Sequence, residues 1–189
     1  MTSEFGRTIG GRRFFCSSSS FVTVRIQYYA GVSRPYDWWR KMAELTDQEQ
    51  THREMTLRVI DEMWNGRNYD VVDEVYDPLS ESHAFSEPEG IVGAQAVKDW
   101  AKKYHDAFSD FHTEPHDVTA RDDVVYGRYH LTGTHDGTLR SARGDIPATN
   151  QTIDTWGLFE LRFEGGLVVE EWNSTDIMTM MRQLGVAPE

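Results

Sequence analysis

The chain has 189 residues, room for about one domain at the usual ~100–200 residues each. Hydrophobic side chains make up 39% and aromatics 12%, enough for a buried core, which excludes wholesale disorder. No run of about 18 apolar residues occurs, which excludes a membrane-spanning helix, and the net charge of −12 sets the chain against nucleic-acid phosphates and anionic membranes.

The charge is unevenly spread. Residues 1–41 hold seven basic side chains (Arg7, Arg12, Arg13, Arg25, Arg34, Arg40, Lys41) and two acidic ones (Glu4, Asp37). Residues 42–189 hold twelve basic and 29 acidic groups, a balance of −17. A solvated acidic surface is the simple reading. Adaptation to high salt is the sharper one, motivated by the three lysines (Lys98, Lys102, Lys103) in that stretch. Within residues 1–41, Arg12 to Cys16 followed by Ser17 to Ser20 shows no helical or strand period and no apolar core of a secretory signal. An Arg- and Ser-rich transit segment is one reading; a disordered or non-native leader ahead of Met42 is the one preferred. The domain is therefore expected over residues 42–189. Cys16 is the single cysteine, so no internal disulfide forms and a cytoplasmic location is expected.

The regular pattern begins at Thr46. Thr46 or Asp47 caps a helix expected to run to about Asn65, with Met55, Val59, Ile60 and Met63 on its apolar stripe, ended by Asn65-Gly66. A short helix carries Tyr69, Val72, Val75 and Tyr76, and Asp77-Pro78 breaks it. Leu79 to Phe85 reads as a short strand, Ser86 to Gly93 as a loop, and Ala94 to Phe108 as a long helix. The period then changes to two. Phe111 to Ala120, Val124 to His135, Thr152 to Glu164 and Leu167 to Ser174 read as strands, with Gly165-Gly166 as a hairpin turn between the last two. Asp176 to Leu184 closes the chain as a helix ending at Gly185. The fold class expected is α+β: a curved antiparallel sheet over three to four helices, enclosing a cone with an internal pocket for a small ligand.

Several stretches in this order resemble one known family. They are Glu62 to Glu74, Gly93 to Trp100 with Ala107-Phe108-Ser109-Asp110, Gly133 to Gly137 leading to Ile146 to Thr149, and Phe159 to Asn173, continuing through Asp176 to Gly185. Together they resemble the SnoaL-like polyketide cyclases, also called ester cyclases. These have the cystatin-like cone fold shared with ketosteroid isomerase and scytalone dehydratase. The resemblance implies a homodimer through the outer sheet face. It also implies aldol ring closure of a polyketide ester without metal or cofactor. Family members place an acid–base aspartate, a glutamine and a histidine at positions that fall here on Asn173, Gly157 and Phe159. None of the three side chains is kept, and an amide exchanges no proton near neutral pH.

Other residues are candidates for the chemistry. If strand parity follows the resemblance, Thr155, Gly157, Phe159 and Leu161 point into the cone while Trp156 and Leu158 face outward, and Val169, Glu171 and Asn173 share the inner side while Trp172 faces out. Glu171 is then a possible buried acid–base group, or else a solvated edge residue. Asp176 is a candidate at the cone's mouth, or else a helix cap. His83 and His135 are candidate proton shuttles, or else structural. Trp64, Trp100 and Tyr104, with Gly157, Phe159 and Asn173, are expected to line the ligand pocket. His112 and His116 flank Pro115 on a strand, so no metal site is expected there. No cofactor is expected. The ligand expected is a small hydrophobic carbonyl compound of polyketide or steroid type. It is turned over by a cyclase, isomerase or lyase, or only bound; a pure dimerisation domain is the third reading.

Overall fold

The computed structural model describes residues 44–141 and 144–187; the leader expected over residues 1–41 lies outside them. Helix α1, Asp47–Val59, opens with a reciprocal cap. Thr46 Oγ1 accepts from the Glu49 amide at 3.2 Å, and Glu49 Oε2 accepts from the Thr46 amide at 2.7 Å. The helix was expected to continue unchanged to Asn65. Instead Ile60–Asn65 widens into a π-helical turn. There Asn65 clasps the backbone of Thr113 from both sides, accepting from its amide at 2.8 Å and donating to its carbonyl at 2.9 Å.

Helix α2 is Val71–Val75. Strand β1, Tyr76–Ala84, starts three residues before the expected Leu79. Pro78 favours extended backbone before it and falls where the β1 register is irregular, between Tyr76 and Glu81. Within the expected loop, Ile91–Val92 forms a short strand β2 against Glu81 and Ser82. Helix α3 is Ala94–Ala107. It leaves Gly93 at φ 86°, where a Cβ would lie 2.8 Å from the Pro78 carbonyl oxygen, so only glycine fits this entry. Strands β3 (His112–Arg121), β4 (Val124–Thr134), β5 (Thr152–Glu164) and β6 (Leu167–Thr175) follow, and helix α4 (Ile177–Gln183) ends the fold. The Gly165-Gly166 turn has φ of 60° and 85°, as a two-residue hairpin requires.

The strands form one curved, unclosed six-stranded sheet in the order β2-β1-β6-β5-β4-β3. It is antiparallel except where β1 runs parallel to β6. The fold class is the α+β cone expected, and this parallel pair is the one departure from a wholly antiparallel sheet. A parallel neighbour requires a long crossover, and everything from β2 to β5 supplies it. The buried core lies between the helices (Val71, Val72, Val75, Val97, Ala101) and the inner sheet face (Val125, Leu131, Ile153, Leu161, Phe163).

Candidate functional site

Alternation along β5 sorts its residues as parity predicts. Ile153, Thr155, Phe159, Leu161 and Phe163 are buried on the inner side, while Trp156 and Leu158 remain 43% and 61% exposed outside. On β6 the expected parity breaks once. A register shift between Arg162 and Phe163 pairs Glu171 with Leu161 but Val168 with Phe163. Val168 is therefore the core residue and Val169 is only half-buried, a correction to the inner placement expected for Val169. The bulge inserts one extra residue, so parity counted through it flips.

The inner face and the helices enclose a cavity of about 50 Å³, room for about four waters as it stands. Its floor is Tyr129, Leu131, Phe159, Leu161, Glu171, Asn173 and Thr175 from the sheet, and its wall is Thr56, Val59, Ile60 and Trp64 with Trp100, Tyr104 and Phe111. Tyr76 and Thr113 complete the lining. Trp64, Trp100, Tyr104, Phe159 and Asn173 thus line the cavity. Gly157 does not. Its inner side is occupied by the Tyr129 ring, since a Cβ there would sit 2.2 Å from Tyr129 Cζ. The next cross-strand pair on the same face is the mirror case: a Cβ on Gly127 would lie 2.4 Å from Phe159 Cζ. Each glycine gives its space to the aromatic ring of its partner strand, and the two rings lie 6.4 Å apart, nearly parallel.

Glu171 is 4% exposed. Its Oε2 accepts from Tyr76 OH at 2.9 Å and from Ser82 Oγ at 3.3 Å. Burial raises its pKa above the ordinary carboxyl value, and the Tyr76, Ser82 and Asn173 side chains pull it partly back. Burial and the Glu171 charge push the Tyr76 phenol the same way. Asn173 Oδ1 accepts from Tyr129 OH at 2.8 Å, and that hydroxyl lies 2.6 Å from Thr175 Oγ1. The lining contains one carboxylate and no lysine, arginine or histidine.

The other three acid–base candidates lie elsewhere. Asp176 is the N-cap of α4: its Oδ1 accepts from the Thr179 amide at 2.9 Å and its Oδ2 from Thr179 Oγ1 at 2.7 Å. Those hydrogen bonds lower its pKa. It borders a shallow outer cleft with Arg128, Trp156 and Leu158, not the cavity. His83 is on the outer side of β1, stacked on Trp172 at 4.1 Å and 3.3 Å from Glu170. His135 is fully buried at the end of β4, packed on Phe108, with Nδ1 accepting from the Thr149 amide at 3.3 Å. Burial lowers its pKa, and it does not line the cavity. His112 and His116 are on β3; His116 packs against the outward Trp156 at 5.0 Å. Among the described residues no three His, Cys, Asp or Glu side chains gather as a metal site, and no helix is long and apolar enough to cross a membrane.

Tyr76, Ser82, Tyr129 and Thr175 are polar partners that sequence reasoning missed. Tyr76 reads as the apolar end of a helix and becomes a strand residue. Gly127 and Tyr129 share a parity on β4, which was a usable signal, but their partners Phe159 and Gly157 follow only from the register.

Residues 54–184 match the family model for SnoaL-like polyketide cyclases. No match is found among curated proteins. Solved structures are similar across most of the chain. A proposed SnoaL-like polyketide cyclase from Jannaschia sp. CCS1 is 23% identical, with a TM-score of 0.69 over 77% of this chain and 99% of its own. AclR from Streptomyces galilaeus, a proposed hydroxylase, is 23% identical, with a TM-score of 0.62 over 75% of this chain and 85% of its own. A hypothetical protein of ketosteroid isomerase-like fold from Catenulispora acidiphila, in complex with trimethylamine, is 12% identical. Its TM-score is 0.58 over 71% of this chain and 94% of its own. At these identities the likeness establishes the fold.

Proposed function

Because this chain belongs to the SnoaL-like polyketide cyclase family, we propose that its cone binds a small hydrophobic carbonyl compound and that Glu171 moves a proton on it without a cofactor. The observation that carries this reading is a single carboxylate buried in an otherwise uncharged cavity and fixed by two hydroxyls. In the proposed step the Glu171 carboxylate takes a proton from the carbon beside the carbonyl. The C–H electron pair passes into the enolate, and the carboxylic acid then returns the proton. Burial makes the carboxylate a stronger base than a solvated one, and Tyr76 OH steadies its charged form. Proton transfer of this kind suits an isomerase, a lyase or a cyclase.

The aldol chemistry of the family's cyclases is assigned a smaller place, because their aspartate, glutamine and histidine positions hold Asn173, Gly157 and Phe159. Tyr129 fills the space beside Gly157 and binds Asn173, which favours a second reading in which the cone holds its ligand without turnover. The test is deuterium exchange. Cyclic ketones in D₂O, followed by proton NMR, are expected to lose their α-protons faster with the wild type than with Glu171→Gln. Equal rates would leave only the binding reading.

The outer sheet face is proposed as a homodimer interface. Leu79, Val92, Tyr126, Trp156, Leu158 and Trp172 are exposed there, and apolar side chains exposed together on one face mark interaction surfaces. The acidic surface is proposed to keep the protein soluble in high salt, and stability that is equal in low and molar salt would refute that.

A further inference from the structure

We infer that the preferred ligand of the cone carries a compact organic cation, an alkylammonium group, for which Glu171 is the counter-ion. This goes beyond the proton-transfer reading and does not require any turnover.

The argument starts with charge. The cavity lining holds one carboxylate and no basic side chain. A buried carboxylate without a cation is costly, and burial is the main cause of the raised Glu171 pKa. Two hydroxyls donate to one of its oxygens, but neither supplies positive charge. A bound cation would return the group to its ionised form. An anionic ligand would meet the same carboxylate with nothing to balance it.

Ring geometry supplies the second part. Trp64 and Trp100 meet at 88° with centroids 5.1 Å apart. Trp100 and Tyr104 meet at 79°, and Trp64 and Tyr104 at 67°. Trp64 and Trp100 thus meet edge to face with Tyr104 closing the corner, while Phe111 lies tilted at 32° to Trp64 and Lys103 Nζ lies 5.7 Å over the Tyr104 ring. Aromatic faces carry negative quadrupole charge, and aromatic side chains gathered round a pocket are how proteins recognise quaternary ammonium groups.

Size and long-range field agree with both. The cavity, at about 50 Å³, suits a compact head group better than a fused-ring skeleton. The chain's net charge of −12 draws cations in and repels anions.

The test uses three ligands of nearly one shape and different charge: choline, its neutral carbon isostere 3,3-dimethyl-1-butanol, and the anion 3,3-dimethylbutanoate. Isothermal titration calorimetry on the full chain at neutral pH is expected to give choline at least about tenfold tighter binding than the alcohol, and no binding of the butanoate. Glu171→Gln is expected to remove most of the choline preference and to weaken choline far more than the alcohol. Trp100→Leu is expected to weaken choline more than the alcohol. Circular dichroism checks the fold of each variant, and Glu171→Asp, which keeps the charge, is expected to retain the preference should Glu171→Gln fold poorly. Equal affinity for choline and the alcohol, or no choline binding, overturns the inference. So does a choline preference that survives in a folded Glu171→Gln. Ketone exchange in D₂O is read separately: exchange that depends on Glu171 without choline binding sinks this inference and leaves proton transfer standing, and the reverse result does the opposite.

Discussion

The two faces of one sheet are built from the same strands and solve opposite problems. On β6, Glu171 is buried and its neighbour Trp172 is 51% exposed. On β5, Phe159 is buried and Leu158 is not. The inner face places a carboxylate and hydroxyls among aromatic rings, where Glu171 is held by Tyr76 and Ser82 and Asn173 by Tyr129, while Trp100 Nε1 stays buried without a partner among the described residues. The outer face places tryptophans in the open, each packed against a histidine: His83 stacks on Trp172, and His130 lies tilted against Trp156 at 4.7 Å. The lesson is that hydrophobicity alone does not locate the site. The outward positions of β5 mix Trp156 and Leu158 with Asp154, Glu160 and Arg162, whereas the inner face is the more apolar one, and its single carboxylate is what marks the cavity.

The comparison breaks most visibly at the outer face. Leu158→Asp together with Trp172→Asp is expected to weaken self-association by about a hundredfold or more, roughly 3 kcal/mol, as read by sedimentation equilibrium. Choline affinity is expected to stay unchanged. A wild type that sediments as a monomer at micromolar concentration would remove the outer face's assigned role.

A methyl group at the inner face is the next largest effect. Gly157→Ala drives a Cβ into the Tyr129 ring, pushing the phenol off Asn173 and Thr175. The expected loss is about 2 kcal/mol in urea unfolding, an overpacking cost. A change below a few tenths would mean that the ring moves aside freely.

Stability against pH sharpens the contrast at smaller scale. Burial raises the Glu171 pKa above 4.5, so the folded chain binds that proton more tightly than the unfolded chain does. The resulting stabilisation is complete below pH 4.5 and is lost as pH rises through the folded-state value. Compared with Glu171→Gln, the wild type is therefore expected to lose melting temperature as pH rises above 4.5. His105 works in the other direction on the helix side. It lies 2.8 Å from Tyr69 OH and 2.9 Å from the Trp64 carbonyl oxygen, and burial lowers its pKa below 6.5. Its stabilisation is present above pH 6.5 and is lost as pH falls through the folded-state value. His105→Leu is expected to flatten the acid side of the melting curve, and an unchanged acid limb would sink that assignment.

The smallest effect belongs to Asp176. Its carboxylate caps α4 and does not line the cavity. Asp176→Ala is expected to lower the melting temperature slightly and to leave both ketone exchange and choline affinity unchanged. A large loss of either would return Asp176 to the site.

Much of this was legible in the residues themselves. The long helices, the four long strands, the Gly165-Gly166 turn and the Thr46 cap all depend on neighbours a few positions away, and period and capping chemistry record such neighbours directly. Parity placed Glu171 inward and Trp172 outward because the count from Asn173 crosses no bulge. It misplaced Val169 because the count crosses one. The parallel pairing of β1 with β6, the Tyr76 hydroxyl on Glu171, and the two glycine–aromatic pairs join residues far apart in the chain. No local pattern encodes those distances. Asp176 and His83 carried the right chemistry for a site, and only packing decided that one is a cap and the other an outer-face stack. The sequence by itself determined most of the elements and the family, and it left Glu171 open between a buried carboxylate and a solvated edge residue. The tertiary structure decided which side chains surround that carboxylate, because register and burial are set by contacts between strands that sequence spacing does not fix.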